Sequence, residues 1–267
     1  MCSSKSLGLA APQLKVCTCG RFRQYNALNC IGESGWQRPT SLGGGAATGL
    51  IDIGDATLVD GATLTVGTGI ANAINLDAVT GTGSGAVSSL TINTTGVVNV
   101  AEAVGTDIGV VTVTQSGGIT FASTVAAVTV ALTDTSGTIQ FSGNLTATTA
   151  LTTASQDYAV SILGAVNVIA GATTFSNTGT VTLGDAAGDS TTFTAGLVAT
   201  APGALNIAGT VAATTGSSTI APGDRHTTAA GTAASLGGGP APGLDGSAER
   251  QLARAPCGWR RPAAASR

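Results

Sequence analysis

The chain has 267 residues and a formal net charge of −3, but its charges are unevenly divided. Residues 41–220 contain nine Asp, Glu102 and no basic residue, so this middle segment carries −10, whereas all eleven Lys and Arg lie outside it. Such an acidic body disfavours nucleic acids and anionic membranes as partners. Its frequent Val, Ile and Leu argue against disorder.

Three segments are predicted in chain order. Residues 1–40 hold four of the five cysteines and are expected to be irregular or to cap the first repeat. Residues 41–220 form the repeat region, and 221–267 are predicted to be a disordered tail rich in Ala, Gly, Pro and Arg. The abrupt change in composition at both borders is also typical of flanking DNA translated in a different frame. On that alternative the chain is an aberrant or truncated reading frame without a function of its own.

The N-terminal segment predicts neither export nor a zinc site. Lys5 is not followed by an apolar stretch of about 7–15 residues, so no secretory signal is expected within this chain. The cysteines lack the paired C-x-x-C spacing of a structural zinc site, and no cofactor is predicted for them.

Short β-branched runs bounded by Gly or Asn follow one another through the middle segment. Thr63–Val66, 110–114, 128–130 and Thr180–Leu183 are predicted to be strands of about three to six residues. No run of comparable length has a helical period. The middle segment is therefore predicted to be all-β.

Five aromatic residues of this segment recur at intervals of 20, 17, 17 and 18, each after a polar and before a small residue. A period of about 18 residues fits one coil of a β-solenoid, so about ten coils are predicted, with their exposed edges available for self-association. Stacked rings would then form one aromatic ladder. The alternative is unrelated core aromatics of a β-sandwich. The proposed ladder comprises Phe121, Phe141, Tyr158, Phe175 and Phe193.

A family resemblance rests on three segments: 136–148 (SGTIQFSGNLTAT), 177–185 (NTGTVTLGD) and 203–210 (GALNIAGT). They resemble the β-strand repeats of large bacterial surface proteins, such as filamentous-haemagglutinin-like adhesins and autotransporter passengers, over about residues 45–220. The resemblance implies a β-helical, cell-surface or secreted module with an adhesive or structural role. Its partner would be a host glycan, protein or matrix component. The family offers no catalytic residues to carry over.

The residues of the repeat region do not predict an enzyme. β-Helical enzymes that cleave acidic polysaccharides need clustered carboxylates together with Lys or Arg, which neutralise substrate charge and stabilise developing anions. Residues 41–220 have no basic residue, and their Asp residues form no Asp-Asp or Asp-x-Asp pair. The single histidine, His226, lies in the predicted tail without a neighbouring nucleophile.

Two aspartate groups are candidate Ca²⁺ ligands, because their carboxylates stand beside glycine-containing turns. They are Asp52, Asp55 and Asp60 in one group and Asp185 and Asp189 in the other. The simpler interpretation is that these are turn aspartates that bond their own backbone.

A further alternative is binding to ice or another crystal surface through a file of Thr-x-Thr motifs. Thr112-Val-Thr114, Thr146-Ala-Thr148 and Thr180-Val-Thr182 recur at intervals of 34, about two predicted coils. The coils between them lack the motif, which makes this predicted file discontinuous.

Overall fold

A computed structural model describes residues 40–42, 49–83, 85–220, 226–227 and 234–238, and in this part of the chain every regular element is a strand. The first strands are β1 (Thr40–Leu42), β2 (Ile51–Ile53), β3 (Ala56–Leu58), β4 (Thr63–Val66), β5 (Ile74–Leu76), β6 (Val79–Gly81), β7 (Ser88–Asn93), β8 (Val98–Val100), β9 (Val104–Gly105) and β10 (Ile108–Gln115). They are followed by β11 (Ile119–Phe121), β12 (Val125–Leu132), β13 (Thr138–Phe141), β14 (Leu145–Thr153), β15 (Ala159–Ile162), β16 (Val166–Ile169) and β17 (Thr173–Thr174). The last are β18 (Thr180–Leu183), β19 (Ser190–Phe193), β20 (Leu197–Ala199), β21 (Ala204–Ile207), β22 (Gly209–Ala213), β23 (Ser218–Ile220), β24 (His226–Thr227) and β25 (Ala234–Gly238).

All of these strands pair in parallel with strands of neighbouring coils, which makes the molecule a β-solenoid and confirms the predicted fold class. Each coil has three sides. The first side is the sheet β2-β5-β8-β11-β13-β15-β18-β21-β24. The second runs through β3, β6, β9, β12, β14, β16, β19, β22 and β25. The third runs through β1, β4, β7, β10, β12 and β14, and continues in the small sheet β17-β20-β23.

The number and length of the coils differ from the prediction. Successive paired positions on the first side define the coil length, and every interval between them exceeds the predicted period. The positions are Ile51, Ile74, Val98, Ile119, Ile139, Val160, Val181 and Leu205. Because each coil is longer than predicted, the chain makes eight coils between Ile51 and Ile220, not ten. In the fourth and fifth coils β12 and β14 each cover the second and third sides, with a register shift between Ala127 and Thr129.

The core lies along the inside of the three sides and is most regular behind the first. Alternation along each short strand turns two side chains of the first side inward and the one between them outward. Ile74, Val98 and Ile119 begin one inward column, and Leu76 and Val100 belong to the other. These residues are buried, so each coil covers the apolar side chains of its neighbours.

The five aromatic residues are all buried, but they do not form one ladder. Only Phe121 and Phe141 are paired on successive coils. The partner of Phe141 on the next coil is Ile162, because Tyr158 lies at the corner before β15. Phe175 follows β17 on the third side, and Phe193 lies on the second side opposite Ile169. From Phe141 onward successive rings occupy different positions in the coil, so their intervals of 17, 17 and 18 residues are shorter than one coil and predicted the wrong period.

The solenoid extends beyond the predicted boundary at residue 220. The backbone of β24 pairs with β21, and that of β25 pairs with β22. At the other end β1, which includes Thr40, pairs with β4. The predictions for residues 1–39 and 239–267, including all five cysteines, lie outside the described residues.

Candidate functional site

The first three candidate Ca²⁺ ligands are distributed around one coil. Asp52 faces outward on the first side, Asp55 lies at the corner between the first and second sides, and Asp60 lies at the next corner. The Asp55 carboxylate accepts a hydrogen bond from the Ala78 N–H at 3.3 Å, and Asp60 accepts one from the Thr82 hydroxyl. No three Asp, Glu, His or Cys side chains in the described part of the chain are grouped as metal ligands.

The second aspartate pair lies in a turn, where a carboxylate bonds the backbone of the same turn. Asp189 is buried, and its Oδ2 accepts hydrogen bonds from the Asp185 and Ala186 N–H groups, both at 2.8 Å. Desolvation, and then the hydrogen bond and charge of the Asp189 carboxylate, raise the pKa of Asp185 above its ordinary value. The simpler interpretation of these residues, as turn aspartates, therefore describes Asp189 correctly.

The corner before the first side is fixed by a repeated hydroxyl–x–glycine motif that the sequence reasoning missed. The Thr94 hydroxyl donates to the Asn72 carbonyl at 2.6 Å and accepts from the Gly96 N–H at 2.9 Å. Thr135 makes the equivalent bonds to Ser116 and Gly137, at 2.9 and 3.2 Å. These buried hydroxyls tie two of the coils to the ones before them, and so hold the outer surfaces of these coils in line.

In two of these motifs the glycine is required by close packing between coils. A Cβ at Gly96 would overlap the carbonyl oxygen of Asn72, and one at Gly137 would lie 2.8 Å from that of Gly117. Tyr158 lies at the same corner of its own coil, just before β15, and makes different hydrogen bonds. Its hydroxyl donates to the Leu132 carbonyl at 2.8 Å and accepts from the Ala154 N–H at 3.1 Å. Burial raises the pKa of Tyr158 to about 12.

The outward surface of the first side is a continuous column of polar residues, one from each coil. Each member is paired with the next through the strand register: Asp52, Asn75, Asn99, Thr120, Gln140, Ser161, Thr182 and Asn206. Seven of these eight are uncharged amides or hydroxyls, which can both donate and accept hydrogen bonds. We call this surface the amide column.

The outward surface of the third side has two parallel columns across five coils. One column contains Thr63, Ser89, Val110, Thr129 and Ala150. The other contains Thr65, Thr91, Thr112, Ala131 and Thr152. Seven of the ten side chains are hydroxyls and none is charged. We call this surface the hydroxyl array.

The predicted file of Thr-x-Thr motifs is not formed. Thr112 belongs to the hydroxyl array, but Thr146 is paired with Val168 on the second side, and Thr182 is part of the amide column on the first side. The interval between successive motifs is not a whole number of the observed coils, so each motif falls on a different side. The members of the array are harder to recognise in sequence because their spacing changes from coil to coil and Val or Ala replaces some of the hydroxyls.

The described part of the chain contains no helix that is long and apolar enough to cross a membrane. Comparison with protein-family models, with curated proteins and with solved structures finds no match for the chain.

Proposed function

We propose that the chain is a non-enzymatic structural and adhesive repeat segment of a bacterial cell-surface or secreted protein. The observation that carries the proposal is the amide column, which continues through eight coils in register. At the usual strand spacing it extends about 34 Å along the solenoid. A surface of this kind offers many similar weak contacts to one extended ligand, and their combined affinity exceeds that of each alone.

The chemistry of the column favours a ligand rich in hydroxyl and amide groups. Asn99, Thr120 and Gln140 lie in the middle of the column and carry no charge. Each is at least partly exposed, so a ligand that reaches them displaces water and does not require repacking of the core. Host glycans and matrix proteins both have the alternating donors and acceptors that such side chains bind. The likeness of the repeats to those of bacterial adhesins supports the surface location.

Binding of the purified chain to immobilised glycans and matrix proteins tests the adhesive role. We expect binding to at least one ligand, and a loss of about tenfold when Gln140→Glu places a charge in the column, equivalent to about 1.4 kcal/mol. The matched control is Thr146→Glu, which adds the same charge on the second side. Absence of binding to every ligand, or equal losses in the two variants, would contradict the adhesive role.

Surface location has its own test. Antibody labelling of intact cells that express the natural gene should detect the solenoid, and protease treatment of those cells should remove it. Detection only after the cells are lysed, or no product at all, would overturn this part of the proposal.

A further inference from the structure

The hydroxyl array differs from the corner hydroxyl groups of the solenoid in its hydrogen bonding to the described part of the chain. The corner hydroxyls of Thr94 and Thr135 are buried and bonded to backbone groups. In contrast, Thr65, Thr91 and Thr112 form no hydrogen bond with another described residue through their hydroxyls. The same is true of Thr63, Ser89, Thr129 and Thr152. Within the described part of the chain, these seven outward hydroxyls are not used in bonds between coils, and they face outward where water or a ligand can reach them.

These hydroxyls are held in a two-dimensional lattice. Successive strands are about 4.8 Å apart, and residues two apart on one strand are about 6.7 Å apart. The register shifts of β10 and β12 fall before Val110, after Val113 and before Thr129, so all of them lie outside the array. The five strands therefore cross the array without a break in register. Since β-branched side chains have restricted χ1 angles, the Thr and Val groups keep well-defined positions.

We propose that the hydroxyl array is an ice-binding face. A regular pattern of hydroxyl and methyl groups holds water at fixed, repeating positions, with little further loss of side-chain entropy. Val110 has the shape of Thr with a methyl in place of the hydroxyl, and the small side chains of Ala131 and Ala150 do not protrude from the surface. The face has no charged or aromatic group to favour a protein or an ionic ligand. This inference is independent of the adhesive function, because the two surfaces are on different sides of the coil.

Ice-affinity partition and thermal hysteresis of the full-length protein test the proposal. We expect the protein to enter the growing ice fraction and to show a measurable hysteresis gap. Thr91→Tyr and Thr112→Tyr place a bulky ring at the centre of the array and should reduce both signals to the level of serum albumin. Thr120→Tyr, a matched control in the amide column, should leave both signals unchanged. Circular dichroism and the melting temperature show whether each variant retains the fold.

Two results would overturn the ice-binding face. One is a wild-type protein that partitions into ice no more than albumin does. The other is a folded Thr120→Tyr variant that loses as much activity as the two array variants. The glycan and matrix binding described above does not depend on either result, and Gln140→Glu should retain full ice partition. The failure of one function is therefore distinguishable from the failure of the other.

Discussion

Two pairs of buried rings meet in the core, and they do so in different ways. Phe121 and Phe141 are register partners on the first side, and their rings stack with centroids 4.9 Å apart and planes 3° apart. Phe175 and Phe193 lie on different sides of adjoining coils and meet edge to face, 6.0 Å apart at 84°. Strand register alone determines the first contact. The second depends on how the third side of one coil closes over the second side of the next.

This difference shows that two kinds of contact stabilise the solenoid, one along its axis and one across each coil. Pairing between coils fixes the distance along the axis, and contacts across the coil fix its cross-section. Substitutions at the two kinds of position should therefore have separable effects on stability, because coupling is expected only between residues in contact.

Removing a ring should have the largest effect. Phe141→Ala and Phe193→Ala should each cost about 3–5 kcal/mol in urea unfolding, because both rings are fully buried. In double-mutant cycles the Phe121–Phe141 and Phe175–Phe193 pairs should each couple by about 0.5–1.5 kcal/mol. Phe141 and Phe193 should be additive. Strong coupling between those two would show that the two directions of packing are not separate.

A methyl group at a coil-to-coil contact should have the next largest effect. A Cβ at Gly143 would overlap backbone atoms of Ser123 on the preceding coil, so Gly143→Ala should cost at least about 1–3 kcal/mol. Gly188→Ala is the matched control, because no atom lies within 4 Å of its Cβ position. The control should change the melting temperature little. Equal melting temperatures for both variants would mean that the coils are not in close contact at this corner.

The hydroxyl of Tyr158 should contribute to both stability and pH dependence. Tyr158→Phe removes the phenol's hydrogen bonds to the Leu132 carbonyl and the Ala154 N–H, which stay bonded to each other at 2.9 Å, so the change should cost about 0.5–1.5 kcal/mol in urea unfolding. Because the folded-state pKa is raised to about 12, the native state retains this proton longer than the unfolded state. The stabilisation should be complete below the ordinary tyrosine pKa, about 10, and lost as the pH rises from there to 12.

Tyrosinate absorbance measures this titration directly. The chain has only two tyrosines, so the difference between the wild type and Tyr158→Phe isolates one group. A difference titration centred near the ordinary value would contradict the buried, hydrogen-bonded position of the phenol.

The smallest effect is expected at Asp185. Its raised pKa means that the protonated carboxyl is stabilising at acid pH, and that this contribution is lost as the pH rises through the folded-state pKa. Asp185→Asn should therefore raise stability slightly at neutral pH, by less than about 1 kcal/mol since the group is exposed, and not at acid pH. The exposed Glu102→Gln is the control for loss of a charge. Melting curves at acid and neutral pH measure these effects. A destabilising effect of Asp185→Asn at neutral pH would contradict the raised pKa.

The fold class was predictable because β-branched runs alternate with small turn residues. Thr63–Val66 and Thr180–Leu183 are strands with the predicted bounds. The coil length was not predictable from the rings, since these move from one side of the coil to another. The hydroxyl–x–glycine motif at Thr94, Ser116 and Thr135 carries a better signal, because it returns to the same corner once in each of these coils. Because corner loops differ in length from coil to coil, even this motif does not give the register of the other two sides.

The candidate surfaces were less predictable than the fold. Which Thr residues share a column depends on the register of five coils, and Thr63 and Ser89 become neighbours only after that register is known. The aspartates of the first coil are close in sequence but occupy different sides and corners. Proximity in sequence therefore does not imply a shared site in a three-sided coil.

Distances between spin labels along the amide column test the central claim, a stack of coils in constant register. The five cysteines would first be replaced by serine (Cys2, Cys17, Cys19, Cys30 and Cys257). Labels at Asn206 paired with Thr120, Asn99 or Asn75 are separated by four, five and six strand spacings. The account predicts backbone separations of about 19, 24 and 29 Å, in equal steps. Distances that do not increase by one strand spacing from pair to pair would contradict the eight-coil solenoid.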